Sequence, residues 1–197
     1  MKNVLLLGDS IRMGYEPYVR RALSNTATVY APEENCRFSA YTLNSLRFWL
    51  PGFPVPDVIH WNNGAWDYAR IFGLDEPEFT PKNEYIRNML LIARELKKTG
   101  AKIIFATSLP CRPDFPRAKA EKVAEYNAAI VPELQKQDIE INDLYSAIYP
   151  QFMQLIGEDG LHLTDEGYAM CGKIVAQTPP GRPTWTRACQ TAPQTCP

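Results

Sequence analysis

Four consecutive apolar residues, Val4-Leu5-Leu6-Leu7, break off at Gly8-Asp9-Ser10, and an amphipathic segment follows at once. A short continuous apolar run, as opposed to an alternating one, is the pattern of a strand buried on both faces of a parallel sheet. Gly8 permits a tight turn, and Ser10 falls where the next helix should begin. A hydroxyl there stands at the carboxyl edge of the sheet, where open α/β folds place their ligands. It also stands beside free helix N–H groups that stabilise negative charge. The position suits a nucleophile, although a serine capping the helix would look the same.

The rest of the chain supports a strand–helix alternation. Met13 to Leu23 carries apolar residues at helical spacing and stops at Ser24-Asn25. Ala27-Thr28-Val29-Tyr30 reads as a second strand, and Glu33 to Ser39 as a polar loop. Ala40 to Leu50 is helical until Pro51-Gly52. Val58-Ile59-His60-Trp61 is a third strand running into Asn62-Asn63-Gly64. Ala65 to Pro81 has no clean period and reads as a long ordered loop, a type that is often functional. Asn83 to Lys98 is helical, with a basic last turn and Gly100 beyond it. Ala101 to Thr107 is a fourth strand, Lys119 to Leu134 a helix that Pro132 could break, and Ile139 to Asn142 a fifth strand. Leu144 to Ile156 and Asp165 to Ala176 read as two further helices, the last capped by Thr164. The expected class is α/β, a parallel five-stranded sheet with helices on both faces.

Length and composition narrow the possibilities. A chain of 197 residues is long enough for one domain with a full core. We expect that domain to span 1–177, with a Pro-rich tail at 178–197 whose one large apolar anchor is Trp185. The net charge of −1 gives no global field for nucleic acid or membrane. No stretch approaches the length of a transmembrane helix. Asn3 interrupts the start, and no small-residue cleavage site precedes Gly8-Asp9, so no signal peptide is expected. Five cysteines (Cys36, Cys111, Cys171, Cys189 and Cys196) are odd in number and irregular in spacing, which reads as reduced thiols in the cytoplasm. Cys189 and Cys196 could bridge within the tail if the chain were exported. With only His60 and His162 to ligate, a Cys/His zinc site is not expected.

The second landmark is Glu158-Asp159-Gly160-Leu161-His162-Leu163-Thr164, just before the last helix. A carboxylate three residues before an imidazole, in a loop, can orient one ring nitrogen while the other accepts a hydroxyl proton. The same residues would also serve as a turn and a helix entry. His60, inside the third strand, reads as a buried, hydrogen-bonded residue. Cys111 carries no sign of activation. Trp66, Tyr68 and Phe72 could wall a sugar or acyl group, or pin the long loop to the core.

Ser10 ends the first strand and His162 precedes the last helix, so a parallel sheet could bring both to one edge. The pairing of Gly8-Asp9-Ser10 with Asp159-x-x-His162 resembles the SGNH (GDSL-type) hydrolases, a family of esterases, lipases and acyl hydrolases. The resemblance spans about 2–176. It implies a three-layer α/β/α sandwich with a flavodoxin-like parallel sheet, and a catalytic Ser10, His162 and Asp159 with no metal or organic cofactor. Two blocks depart from the family pattern. Where the family has Gly-x-Asn-Asp, this chain has Gly64-Ala65-Trp66-Asp67, so the oxyanion amide would come from Asn62 or Asn63, unless these only shape the turn. An indole N–H at Trp66 can also donate one hydrogen bond. Where the family offers a glycine N–H, this chain has Glu34-Asn35-Cys36-Arg37-Phe38-Ser39. A backbone N–H of Cys36 or Arg37 would serve there, alongside that of Ser10. Arg37 could bind a polar or anionic group, or simply be solvated.

The resemblance implies hydrolysis of a small-molecule or oligosaccharide ester, with Asp9 and Trp66 as substrate contacts. Its carbohydrate O-acetyl esterase members suggest removal of a short acyl group, acetyl above all, from a polar alcohol. A thioesterase or lysophospholipase-like activity, and a flavodoxin-like binding module with weak catalysis, are the alternatives. The sequence is silent on oligomeric state.

Overall fold

The structure, a computed structural model, describes residues 1–177. The expected tail, with Trp185, Cys189 and Cys196, lies outside the described residues. Five parallel strands, β1 (Lys2–Leu7), β2 (Ala27–Tyr30), β3 (Val58–Trp61), β4 (Lys102–Ala106) and β5 (Glu140–Asn142), line up in the order β2-β1-β3-β4-β5. Helices α1 (Ser10–Leu23), α2 (Ser39–Trp49), α3 (Lys82–Lys97), α4 (Ala120–Gln135), α5 (Leu144–Ile148), α6 (Phe152–Leu155) and α7 (Asp165–Gln177) cover its two faces.

The apolar run of β1 supplies both cores at once, because successive strand side chains point to opposite faces. Leu5 and Leu7 join Ile59, Trp61, Ile103 and Phe105 under α2, α3 and α4. Val4 and Leu6 join Val29, Ala106 and the inner faces of α1, α5 and α7. Burying one such leucine contributes about 2 kcal/mol, and β1 places three of them, with Val4, in the core.

Two helical expectations change. The stretch expected as one helix from Leu144 to Ile156 is interrupted at Tyr149–Gln151 by a tighter 3₁₀ turn. Pro150 is the cause: it has no N–H to donate and its ring collides with the preceding turn. At Pro132, by contrast, α4 runs on unbroken to Gln135. The carbonyl that Pro132 leaves without a partner belongs to the exposed Ala128, where water can satisfy it.

Strand order positions the site. The chain leaves β1 toward one side of the sheet and β3 toward the other, which opens a crevice at their carboxyl ends. The turns after both strands, Gly8–Ser10 and Asn62–Asp67, lie at that crevice.

Candidate active site

Ser10 is the first residue of α1, and it is Asp9 that caps the helix, its carboxylate accepting the Ile11 N–H at 3.0 Å. The capping explanation for Ser10 therefore falls away. Its N–H meets no acceptor among the described residues. Gly8 is required by close approach: a Cβ there would lie 2.1 Å from Asn62 Oδ1 and 2.7 Å from Arg12 Cβ. Arg12, only 1% exposed, clamps this turn. Its guanidinium donates to the carbonyls of Gly8 (3.4 Å) and Glu34 (2.8 Å) and pairs with Glu16 at 2.5 Å. Sequence reasoning missed Arg12, although Ile11, Arg12, Tyr15 and Val19 form one buried helical stripe whose spacing was visible.

The loop before α7 brings His162 to Ser10 across 152 residues of sequence. His162 Nε2 lies 2.8 Å from Ser10 Oγ, and His162 Nδ1 lies 2.5 Å from Asp159 Oδ2. The other Asp159 oxygen accepts the N–H groups of Leu161 (3.0 Å) and His162 (2.9 Å). Burial pulls the Asp159 carboxyl upward, but the bonds from His162 and these two N–H groups outweigh it and hold it below the usual carboxylate range. An ionised Asp159 assigns the proton of the neutral ring to Nδ1, which leaves Nε2 free to accept from Ser10. Gly160, at φ 78°, makes the left-handed turn of this loop. Thr164 Oγ1 caps α7 through the Gly167 N–H at 3.2 Å. The arrangement can take a proton from a serine hydroxyl and hold the resulting imidazolium beside a carboxylate.

The residues expected around the oxyanion divide sharply. Asn63 is fully buried, and its amide donates to Arg37 O and Thr42 Oγ1, both at 2.9 Å, while its oxygen accepts the Trp61 indole at 2.7 Å. It braces the β3 turn and has no hydrogen left for a substrate. Asn62 lies beneath Gly8, its amide donating to Asp9 at 3.3 Å, beside an interior cavity of about 10 Å³. Asp9 itself is 1% exposed, and burial raises its carboxyl against the opposing bonds from Ile11 and Asn62. It is a buried helix cap and not a substrate contact. The Cys36 N–H donates to Gly8 O at 3.1 Å, and the Arg37 N–H to Asn35 Oδ1 at 2.7 Å. Neither faces an oxyanion. Arg37 does adopt φ 52°, a backbone region costing a non-glycine residue about 1 kcal/mol, in the loop where the resembled family has glycine. Its guanidinium rests 4.7 Å over the Tyr41 ring.

Trp66 is the exception. It is half-buried beside Ser10 and His162 in a cleft of about 150 Å³, and its indole N–H has no acceptor among the described residues. Asp67, next in sequence, turns inward and receives the Ser39 N–H (3.0 Å) and hydroxyl (2.6 Å) at the start of α2. Burial pushes its carboxyl up to about 6 against the Ser39 and Thr80 bonds. Of the two roles open to Trp66, Tyr68 and Phe72, walling the cleft or pinning the loop to the core, the three residues do not share one. Tyr68 is in the core and Phe72 is 87% exposed, so Trp66 alone lines the cleft, with Phe115, Ile71 and Leu161.

Beneath the site runs a buried polar chain. Asn142 donates to His60 Nε2 (3.1 Å), His60 Nδ1 faces the Tyr15 hydroxyl (3.4 Å), and that hydroxyl donates to Asn62 (3.5 Å), which reaches Asp9. Burial alone drives His60 down to about 3, so the ring is neutral at pH 7. Cys111 is buried, and burial pushes its thiol up to about 11, which leaves it inert. No group of three or more potential metal ligands occurs among the described residues.

No protein-family model and no curated protein matches the chain. Solved structures do. A mutant of an acetyl-xylooligosaccharide esterase from Geobacillus stearothermophilus superposes with a TM-score of 0.76 at 15% identity, covering 94% of this chain and 97% of that one. The acetyl xylan esterase AlAXEase gives 0.74 at 15% identity over 88% and 97%. A GDSL-like lipase from Bacteroides thetaiotaomicron gives 0.71 at 21% identity over 89% and 86%. The chain has the three-layer α/β/α fold of these enzymes.

Proposed function

We propose that this protein is an SGNH-type ester hydrolase working through a covalent serine intermediate. One observation carries the reading: the hydrogen-bonded line from Ser10 Oγ through His162 to Asp159, assembled from opposite ends of the chain at 2.8 and 2.5 Å. His162 Nε2 takes the Ser10 proton as Oγ attacks the ester carbonyl carbon, and the carbonyl electron pair moves onto oxygen. Asp159 stabilises the imidazolium. Collapse of the intermediate expels the alcohol, which leaves with the proton from His162. Water, deprotonated by His162, then attacks the acyl-serine and releases the carboxylic acid.

The free Ser10 N–H, at the positive end of α1, and the unpartnered Trp66 indole N–H are our assigned oxyanion donors. Trp66→Phe keeps an aromatic ring in the cleft wall, though a smaller one, and removes the donor, so kcat should fall about 100-fold with KM changed far less. An unchanged kcat would remove Trp66 from the oxyanion hole.

The favoured substrate is a short acyl ester, acetyl above all, of a polar alcohol such as a carbohydrate. The cleft is only about 150 Å³, and two of the structures sharing the fold are named for acetylated xylan or xylooligosaccharides. Comparing acetyl with octanoyl aryl esters tests this, and a preference for octanoyl would favour the lipase-like or thioesterase-like alternative. The proposed steps call for no metal or organic cofactor. We place the protein in the cytoplasm, with 1–177 as the catalytic domain and 178–197 as an appended tail. Cys36, Cys111 and Cys171 are buried free thiols, and among the described residues no helix is long and apolar enough to cross a membrane.

A further inference from the structure

Ser10 and His162 open onto a cleft whose remaining wall is mostly apolar, built from Trp66, Ile71, Phe115 and Leu161. One charged side chain breaks that pattern: Arg117. The arginines of the two segments bonded nearby are engaged: Arg70 pairs with Glu78 at 2.9 Å and Arg112 with Asp114 at 2.8 Å. The Arg117 guanidinium has no ion pair or hydrogen bond among the described residues. Its backbone is nevertheless fixed from two sides. Its carbonyl accepts the Arg70 N–H at 2.6 Å, which ties it to the loop carrying Trp66 and Ile71. The same segment is tied to the Asp159–His162 loop by the Arg112 N–H on Gly160 O at 2.8 Å. Phe115, two residues earlier, is buried in the cleft wall, and Pro113 and Pro116 stiffen the connection. The backbone of Arg117 is therefore fixed at the rim of the cleft, and its exposed side chain is the one lysine or arginine lining that cleft, with no partner among the described residues.

We propose that Arg117 binds a carboxylate on the ester substrate, so that the enzyme prefers acylated acids, such as an acetylated acidic sugar, over neutral esters. The inference rests on the ester-hydrolase reading and narrows its substrate class. A guanidinium presents a rigid fork of donors that matches a carboxylate bidentately. With a short acyl group such as acetyl on the serine, only the alcohol portion of the substrate is large enough to carry the carboxylate.

The test measures kcat/KM on the full chain for two matched pairs of esters. In 4-acetoxybenzoate and its methyl ester the carboxylate sits on the alcohol side. In an aryl hydrogen glutarate and the corresponding aryl methyl glutarate it sits on the acyl side. Taking the anionic-to-neutral ratio within each protein, and comparing it with Arg117→Gln, cancels leaving-group chemistry. The ratio for the first pair is expected to fall about tenfold in Arg117→Gln, and Arg117→Lys to recover part of it. A fall confined to the second pair keeps the carboxylate at Arg117 and assigns it to the acyl group. Ratios that match the unmodified protein in both pairs overturn the proposal. Failure of the unmodified protein to hydrolyse any of the four esters would instead count against ester hydrolysis itself.

Discussion

Ser10→Ala is expected to lower kcat on a short-chain aryl acetate by about 10⁴- to 10⁶-fold, with the far-ultraviolet circular dichroism unchanged. The size follows from what the hydroxyl does. It is the bond-forming atom, and His162 and Asp159 act on substrate only through it. His162→Ala should lose a comparable factor, and the double variant should be no slower than either single one, because the residues work as one unit. Hydrolysis that survives Ser10→Ala undiminished would remove the serine mechanism. The same substitution adds no cavity to the core, since Ser10 sits at the cleft mouth, so a folding defect is not the expected explanation for lost activity.

The second large effect concerns acid stability. His60 is 2% exposed, and burial holds its pKa near 3 against an ordinary value of 6.5. The folded chain therefore binds this proton less readily than the unfolded chain. Stability from this residue is complete above about pH 6.5 and is lost as the pH falls toward 3. Between pH 7 and pH 4 the loss amounts to about 3 kcal/mol from this one ring. Urea unfolding of the unmodified protein and of His60→Gln at the two pH values isolates it, because the carboxylates titrate alike in both. The unmodified protein should lose about 3 kcal/mol more than the variant. Equal losses would mean that the ring is already accessible to protons in the folded state. The consequence reaches the site, since His60, Tyr15 and Asn62 form the hydrogen-bonded chain under Asp9.

The parts of the molecule legible in the sequence are those set by local pattern. Leu5 and Leu7 on one face of β1, with Leu6 on the other, follow from an uninterrupted apolar run ended by glycine. The parallel sheet follows from strands separated by helix-length segments. Ser10 and His162 stand out because each closes or opens an element at the sheet edge. The oxyanion neighbours were not legible, for a physical reason. Whether an amide is free depends on what tertiary contact brings to it. Asn63 looks like a donor in the sequence, and only packing reveals that Arg37 O and Thr42 hold both its hydrogens. Arg12 was hidden for the opposite reason: a charge on the buried stripe reads as surface until Gly8 O, Glu16 and Glu34 O appear around it. Arg37 has a left-handed backbone that its side chain type disfavours, so composition pointed away from the glycine-like turn it makes. The interruption at Tyr149–Gln151 is legible in Pro150, whose missing N–H outweighs the apolar spacing around it.

The central claim is that Ser10 is an activated nucleophile, and serine-directed labelling tests it without reference to any substrate. The full chain is treated with a fluorophosphonate at neutral pH, and the modified residue is mapped by mass spectrometry. The account predicts one phosphonylated site, Ser10, with labelling abolished in Ser10→Ala and strongly slowed in His162→Ala. Modification at another residue, or equal labelling of Ser10 with and without His162, would contradict it.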